Sequence, residues 1–102
     1  MLTNNQRRHL RALANDLDSG FQVGKEGIGS ETLRHLDNML RTRELVKVSI
    51  LKNAPDEVRE TADNIAGALG ADVVQTIGRR FIIYRRSEDL VKEGKAIELP
   101  RK

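Results

Sequence analysis

An α+β two-layer sandwich is the fold class this sequence predicts, with elements in the order α-β-α-β-α-β-β and helices on one face of a mixed four-stranded sheet. Three observations predict it. Apolar residues recur at helical spacing in three separate stretches. Strict alternation marks Val46, Val48 and Ile50. Two β-rich runs, Val73 to Ile77 and Phe81 to Arg85, are separated only by Gly78, Arg79 and Arg80, which reads as a hairpin with basic residues at its tip. Strand-helix-strand order before that hairpin implies two right-handed crossover units.

The elements follow in order. Thr3 and Gln6 form a capping-box pattern, and Leu10, Leu13, Ala14 and Leu17 continue at helical spacing, so the first helix is expected from Asn4 to Leu17. On this reading Arg7, Arg8 and Arg11 cluster on the solvated side of the helix, away from that stripe. Phe21, Gln22 and Val23 make a short strand, which stops at the glycine-rich segment Gly24-Lys25-Glu26-Gly27-Ile28-Gly29. Ser30 is the expected cap of a second helix that carries Leu33, Leu36, Met39 and Leu40. Leu45 to Leu51 is the second strand. Pro55 suits a first helical turn, Val58, Ala62, Ile65, Ala66 and Leu69 form the third helical stripe, and Gly70 is its expected C-terminal cap. Beyond Ser87 the chain is polar until Ile97, Glu98, Leu99 and Pro100, so residues 88 to 102 read as a loosely held tail.

Length and composition narrow the class. A chain of 102 residues is expected to form one domain, and 38% hydrophobic with 32% charged residues suits a globular protein that folds alone. No apolar run has the length of a membrane span or a secretory leader, so a cytoplasmic location is expected. The absence of cysteine removes disulfides, thiolate catalysis and cysteine-based zinc sites. Monomer is the default state.

The net charge of +3 conceals segregation along the chain. Residues 1 to 11 hold Arg7, Arg8 and Arg11 without an acid, and residues 73 to 87 hold Arg79, Arg80, Arg85 and Arg86 without an acid. Residues 56 to 72 hold Asp56, Glu57, Glu60, Asp63 and Asp72 against Arg59 alone. A basic side and an acidic side are expected, and a polyanion is the natural partner of the first. The Gly24-x-x-Gly27 turn would let backbone approach a sugar-phosphate chain, with Lys25 adding a point charge; a tight turn alone would need the same glycines. It lacks the Walker ending and the glycine order of a dinucleotide fingerprint. His9 and His35 have neither spacing nor acidic neighbours for a metal, and no nucleophile, base and orienter assemble, so no metal, cofactor or catalytic site is expected. Phe21 and Phe81 read as core, leaving Tyr84 as the one aromatic that could stack on a base.

Taken together, "RRHLRALA", "VGKEGIGSETL", "RELVKVSIL", "GADVVQTIG", "FIIYRR" and "IELPRK" resemble, in order and nearly end to end, the YhbY or CRM-domain family of RNA-binding modules. The resemblance implies a fold like the C-terminal domain of bacterial translation initiation factor three. It also implies RNA contacts through Gly24, Lys25, Glu26 and Gly27 and through Arg7, Arg8, Arg11, Arg79, Arg80 and Arg85. For single-domain bacterial members it implies association with large-subunit ribosomal RNA or its precursor particles, as an assembly factor rather than an enzyme. Two positions depart from the pattern: Glu26 puts a negative charge inside the loop, and Gly29 stands where a threonine is expected. The competing readings are a double-stranded-DNA architectural binder and a protein-interaction module that docks through the acidic third helix.

Overall fold

The computed structural model describes residues 2–17, 20–24, 29–51 and 57–101. Eight elements follow one another: α1 (Asn4–Ala14), β1 (Phe21–Val23), α2 (Ser30–Arg43), β2 (Leu45–Ile50), α3 (Val58–Leu69), β3 (Asp72–Ile77), β4 (Arg80–Tyr84) and α4 (Glu88–Glu93). The expected α+β class and mixed four-stranded sheet are present, with strand order β1-β2-β4-β3. β1 runs parallel to β2, while β4 pairs antiparallel with β2 on one side and with β3 on the other.

Alternation along the strands sends side chains into two cores. On one face Val46, Val48, Ile50, Phe81 and Ile83 meet Leu36, Met39 and Leu40 of α2 and Ala62, Ile65 and Ala66 of α3. On the other, Leu45, Val74, Ile82 and Tyr84 meet Leu10 and Ala14 of α1, with Leu2, Ile97 and Leu99 packed at the margin. The expected sandwich of α2 and α3 on the sheet is therefore joined by a second layer, because α1 and the C-terminal segment cover part of the opposite face.

Local signals place most helix ends. The Thr3 hydroxyl accepts from the Gln6 amide at 3.1 Å and the Gln6 side chain accepts from the Thr3 amide at 2.9 Å, completing the capping box. Gly70 closes α3 in the left-handed conformation, φ 65°. α1 ends at Ala14, a turn earlier than the apolar spacing suggests, and Leu13 and Leu17 stay exposed. Asn15 and Asp16 are poor helix formers, and an acid at a helix C-terminus opposes its dipole. The cap of α2 is Gly29, without a side-chain hydrogen bond, and Ser30 is instead its first helical residue. Pro55 lies outside the described residues.

The largest departure is the C-terminal stretch, which is folded rather than loose. Glu44, fully buried between α2 and β2, accepts from the Ser87 amide at 2.7 Å through one side-chain oxygen and from the Ile97 amide at 2.6 Å through the other. Ser87 donates its hydroxyl to the Arg41 carbonyl at 2.6 Å and caps α4, which Gly94 closes at φ 72°. The Gln6 side-chain amide donates to the Pro100 carbonyl at 2.8 Å, tying the end of the chain to α1. Polar sequence suggested a tail because its anchoring partner is distant in the chain and had no signature as a buried acid.

Two outcomes follow from this arrangement. Glu44→Ala should cost about 3 kcal/mol, since two buried amides lose a charged acceptor. Hydrogen exchange should show lost protection at Ser87 and Ile97 before the sheet opens; unchanged protection there would remove Glu44 as the anchor. Tyr84, the chain's only tyrosine, has its phenol held above the ordinary value. Burial is the main cause, Glu44 adds to it, Arg86 opposes it and Asp72 adds a further push. The unfolded chain therefore loses this proton first as pH rises, so stability should decline from pH about 10 upward through the folded pKa. Phenolate absorbance of the native protein should titrate above that of the denatured chain, and Tyr84→Phe should remove the alkaline decline.

Candidate nucleic-acid interface

β1 and β2 finish at the same end of the sheet, and β4 begins there, so the topology carries three chain segments to one edge. The Leu51 amide donates to the Val23 carbonyl at 2.9 Å, and the Ile50 amide donates to the Arg79 carbonyl at 2.7 Å. Arg79 folds back onto the same strand end, donating through Nε to the Ile50 carbonyl at 3.0 Å and through Nη2 to the Leu51 carbonyl at 2.5 Å. Gly24 lies beside Leu51, whose Cδ1 would stand 3.6 Å from a Cβ at that position. Gly24, Arg79 and Arg80 are thereby brought together, although Gly24 and the hairpin tip are more than fifty residues apart in the chain. Lys25, Glu26 and Gly27 lie outside the described residues. Gly29 is the N-cap of α2 and, having no side chain, offers no side-chain cap to its first turn.

The hairpin tip turns through Gly78 at φ 56°, a conformation that glycine adopts without strain. Arg79 is exposed yet held in place by its two carbonyl acceptors, whereas Arg80 makes no side-chain hydrogen bond or ion pair among the described residues. A pinned guanidinium loses less rotamer freedom on binding than a free one.

The arginines of α1 are sorted differently from expectation. Arg7 and Arg11 share the face of Leu10 and Ala14 and are half-buried beside it, not on the opposite side; Arg8 alone is exposed. Arg7 donates through Nη1 to the Val73 carbonyl on the outer strand β3, at the bulge between Val73 and Gln75. That contact blunts an open sheet edge. From Val73 to Ile77 the strand covers roughly 13 Å, so Arg7 stands well back from the hairpin tip.

Arg85 does not join them. It sits at the other end of β4 with its side chain only 23% exposed. Nη1 donates to Asp37 Oδ1 at 2.6 Å and to the Leu69 carbonyl at 3.0 Å, while Nη2 donates to the Asp37 carbonyl at 3.1 Å. It bolts β4 to α2 and to the C-terminus of α3, and the acid-free run that suggested a ligand arginine in sequence carried no mark of Asp37. Tyr84 is buried and its ring is unavailable for stacking on a base. His35 packs on Phe21 with ring centroids 5.0 Å apart. Among the described residues no group of three or more His, Cys, Asp or Glu could hold a metal, and no helix is long and apolar enough to cross a membrane. The acidic α3 packs on the face of the sheet opposite α1, with Glu57, Glu60 and Asp63 exposed.

A family model, the CRS1 / YhbY (CRM) domain, matches residues 2–85. The chain belongs to the CRM-domain family. Its sequence is 39% identical over 100 residues to the "Probable RNA-binding protein YqeI" of Bacillus subtilis, covering 98% of this chain and all of that one. It is 33% identical over 102 residues to an "RNA-binding protein" of Haemophilus influenzae, covering 99% and 97%. The hypothetical protein SAV1595 from Staphylococcus aureus has the same fold in solution, with TM-score 0.78 and 41% identity over 98% of this chain and 100% of that one. In this CRM domain the motif strings that carried the resemblance fall on α1, on β1 and α2, on β2, on the β3–β4 hairpin and on the C-terminal segment; β1, β2 and the hairpin meet at the shared sheet end.

Gly24 is not in a left-handed conformation, and an added methyl would make only an ordinary contact. Gly24→Ala should therefore shift stability by less than about 0.5 kcal/mol. Thermal unfolding checks this; a large loss would make the glycine a requirement of the fold itself.

Proposed function

We propose that this CRM-domain protein binds structured RNA through the sheet end where Gly24, Arg79 and Arg80 converge, with exposed Arg8 extending the basic surface. We assign it to large-subunit ribosomal RNA or its precursor particles, in the cytoplasm, as an assembly factor without catalytic chemistry. The observation that carries the reading is the convergence itself: backbone free of a Cβ, one guanidinium fixed by two carbonyls and one left unpaired lie at a single edge. Such an edge offers a phosphate chain both close backbone approach and charge. The names of the relatives support RNA as the partner. Lys25, Glu26 and Gly27 belong to the proposed contact through the family motif, with Glu26 weakening any phosphate set directly over the loop. Arg7 and Arg11 contribute field rather than direct grip, and Arg85 is left out because its donors are engaged within the fold.

Phosphate contacts should make affinity fall steeply with salt, and RNA shape should supply selectivity. Titration against large-subunit ribosomal RNA, an unrelated structured RNA and duplex DNA, at low and physiological salt, tests this. Preference for the ribosomal RNA is expected, and Arg8→Gln with Arg80→Gln should flatten the salt dependence by roughly one unit of slope per lost phosphate contact. Equal affinity for all three would reduce the protein to a general polyanion binder. Absence of binding at either salt would transfer the case to a protein partner on α3.

A further inference from the structure

The early end of α1 leaves part of its sheet face uncovered. Tyr84 and Ile82 of β4, and Leu45 of β2, are buried under α1 and the C-terminal segment. By alternation the next residues on that face are Arg80 of β4, paired with Ile77 of β3, and Lys47 of β2, paired with Ile82. Among the described residues no helix covers them, because α1 ends at Ala14, and Asn15 borders the rim. The result is a recess of about 200 Å³ bordered by Asn15, Lys47, Gln75, Ile77 and Arg80.

Its chemistry is uneven in an informative way. Ile77 is 59% exposed, more than any other large hydrophobic among the described residues, and sits directly across from Arg80. The side-chain amides of Asn15 and Gln75 make no hydrogen bond among the described residues. Lys47 donates one proton to the Leu17 carbonyl at 2.8 Å, which leaves two ammonium donors. Both charged groups at the rim are positive, and among the described residues no acid borders the recess. The volume equals the share of roughly seven water molecules, the scale of a single purine or pyrimidine.

We propose that this recess receives one unpaired nucleobase of the RNA, making the preferred ligand a loop or bulge and not a continuous duplex. The proposal rests on the RNA-binding reading above and names the class of RNA. Ile77 supplies an apolar platform for one face of the base, in place of the aromatic that this sheet surface lacks. Asn15 and Gln75 present donor and acceptor together, the pairing that a carboxamide makes with the edge of adenine. Arg80 and Lys47 hold the flanking phosphates, continuous with Arg79 and Gly24 at the sheet end. A duplex cannot satisfy this site, since its bases are paired and stacked, and the deep, narrow groove of A-form RNA shields their edges from side chains.

The test uses the whole chain and two synthetic RNAs: a hairpin with a short loop of unpaired adenosines, and a blunt duplex of the same length, each titrated by fluorescence anisotropy across a salt series. The native protein should prefer the hairpin by about tenfold, the discrimination expected from one well-made base contact. Ile77→Ser, and Asn15→Ala with Gln75→Ala, should each bring hairpin affinity down to that of the duplex while leaving duplex affinity and salt slope unchanged, because no phosphate contact is lost. Arg80→Gln should weaken both RNAs and lower both slopes. Circular dichroism melting of each variant separates misfolding from lost contact, and Gln75→Asn, which keeps the amide, should retain part of the preference if its melting curve is native. Equal native affinity for hairpin and duplex, or a preference that survives in well-folded Ile77→Ser and Asn15→Ala/Gln75→Ala proteins, overturns the base site while the RNA reading stands. Failure to bind either RNA at low salt overturns both.

Discussion

Glu44 stands where α2 gives way to β2, fully buried and at φ 67°, a backbone conformation uncommon outside glycine. Its amide closes α2 on the Leu40 carbonyl at 2.8 Å, its carbonyl accepts from Arg85 at 2.9 Å, and its two side-chain oxygens hold Ser87 and Ile97. One residue thus joins the end of a helix, the start of a strand, the residue after β4 and the returning C-terminal chain. A buried acid without partners would be costly, and here each oxygen has a backbone donor, so the geometry is specified in every direction. Leu99 and Ile97 can seal the margin of the second core only because that acid fixes the path of the segment that carries them.

Covering the second face has an electrostatic consequence. α1 and α3 are on opposite sides of one sheet, so the arginine-rich helix and the acid-rich helix are separated by the thickness of the core. An anion approaching the α1 side meets Arg8, Lys47 and Arg80 without the acids of α3 directly beside them. Net charge of +3 would not by itself direct a polyanion to one surface; the layering does.

The arginines divide by what they already hold. Arg85 grips Asp37 and the end of α3, Arg7 caps the bulged outer strand, and Arg79 is tethered to the end of β2 while remaining exposed. Arg80 and Arg8 have no such attachment among the described residues. Charge count along the chain could not make this division, because each partner is a carbonyl or carboxylate brought near only by folding. The same holds for the recess beside Ile77, which exists because α1 ends one turn short of its apolar pattern and because the pleat turns Arg80 and Ile77 to the same side.

Elements written in local chemistry were legible in the sequence. The Thr3–Gln6 box, the Val46-Val48-Ile50 alternation, the stop at Gly70 and the glycine turn between β3 and β4 each depend on residues a few positions apart, and each appears where its pattern stands. Family membership was legible for the same reason, since the motif strings lie along the chain in order. What folding alone decided are relations between distant residues. Nothing local in the sequence marks Glu44 as buried, and Ile97 reads as part of a loose end, until a separation of 53 residues is closed by a hydrogen bond. Periodicity tells which side of a helix is apolar, but not which face of the sheet that helix will cover. It also cannot say where a helix must stop so that the next residues of the sheet remain uncovered.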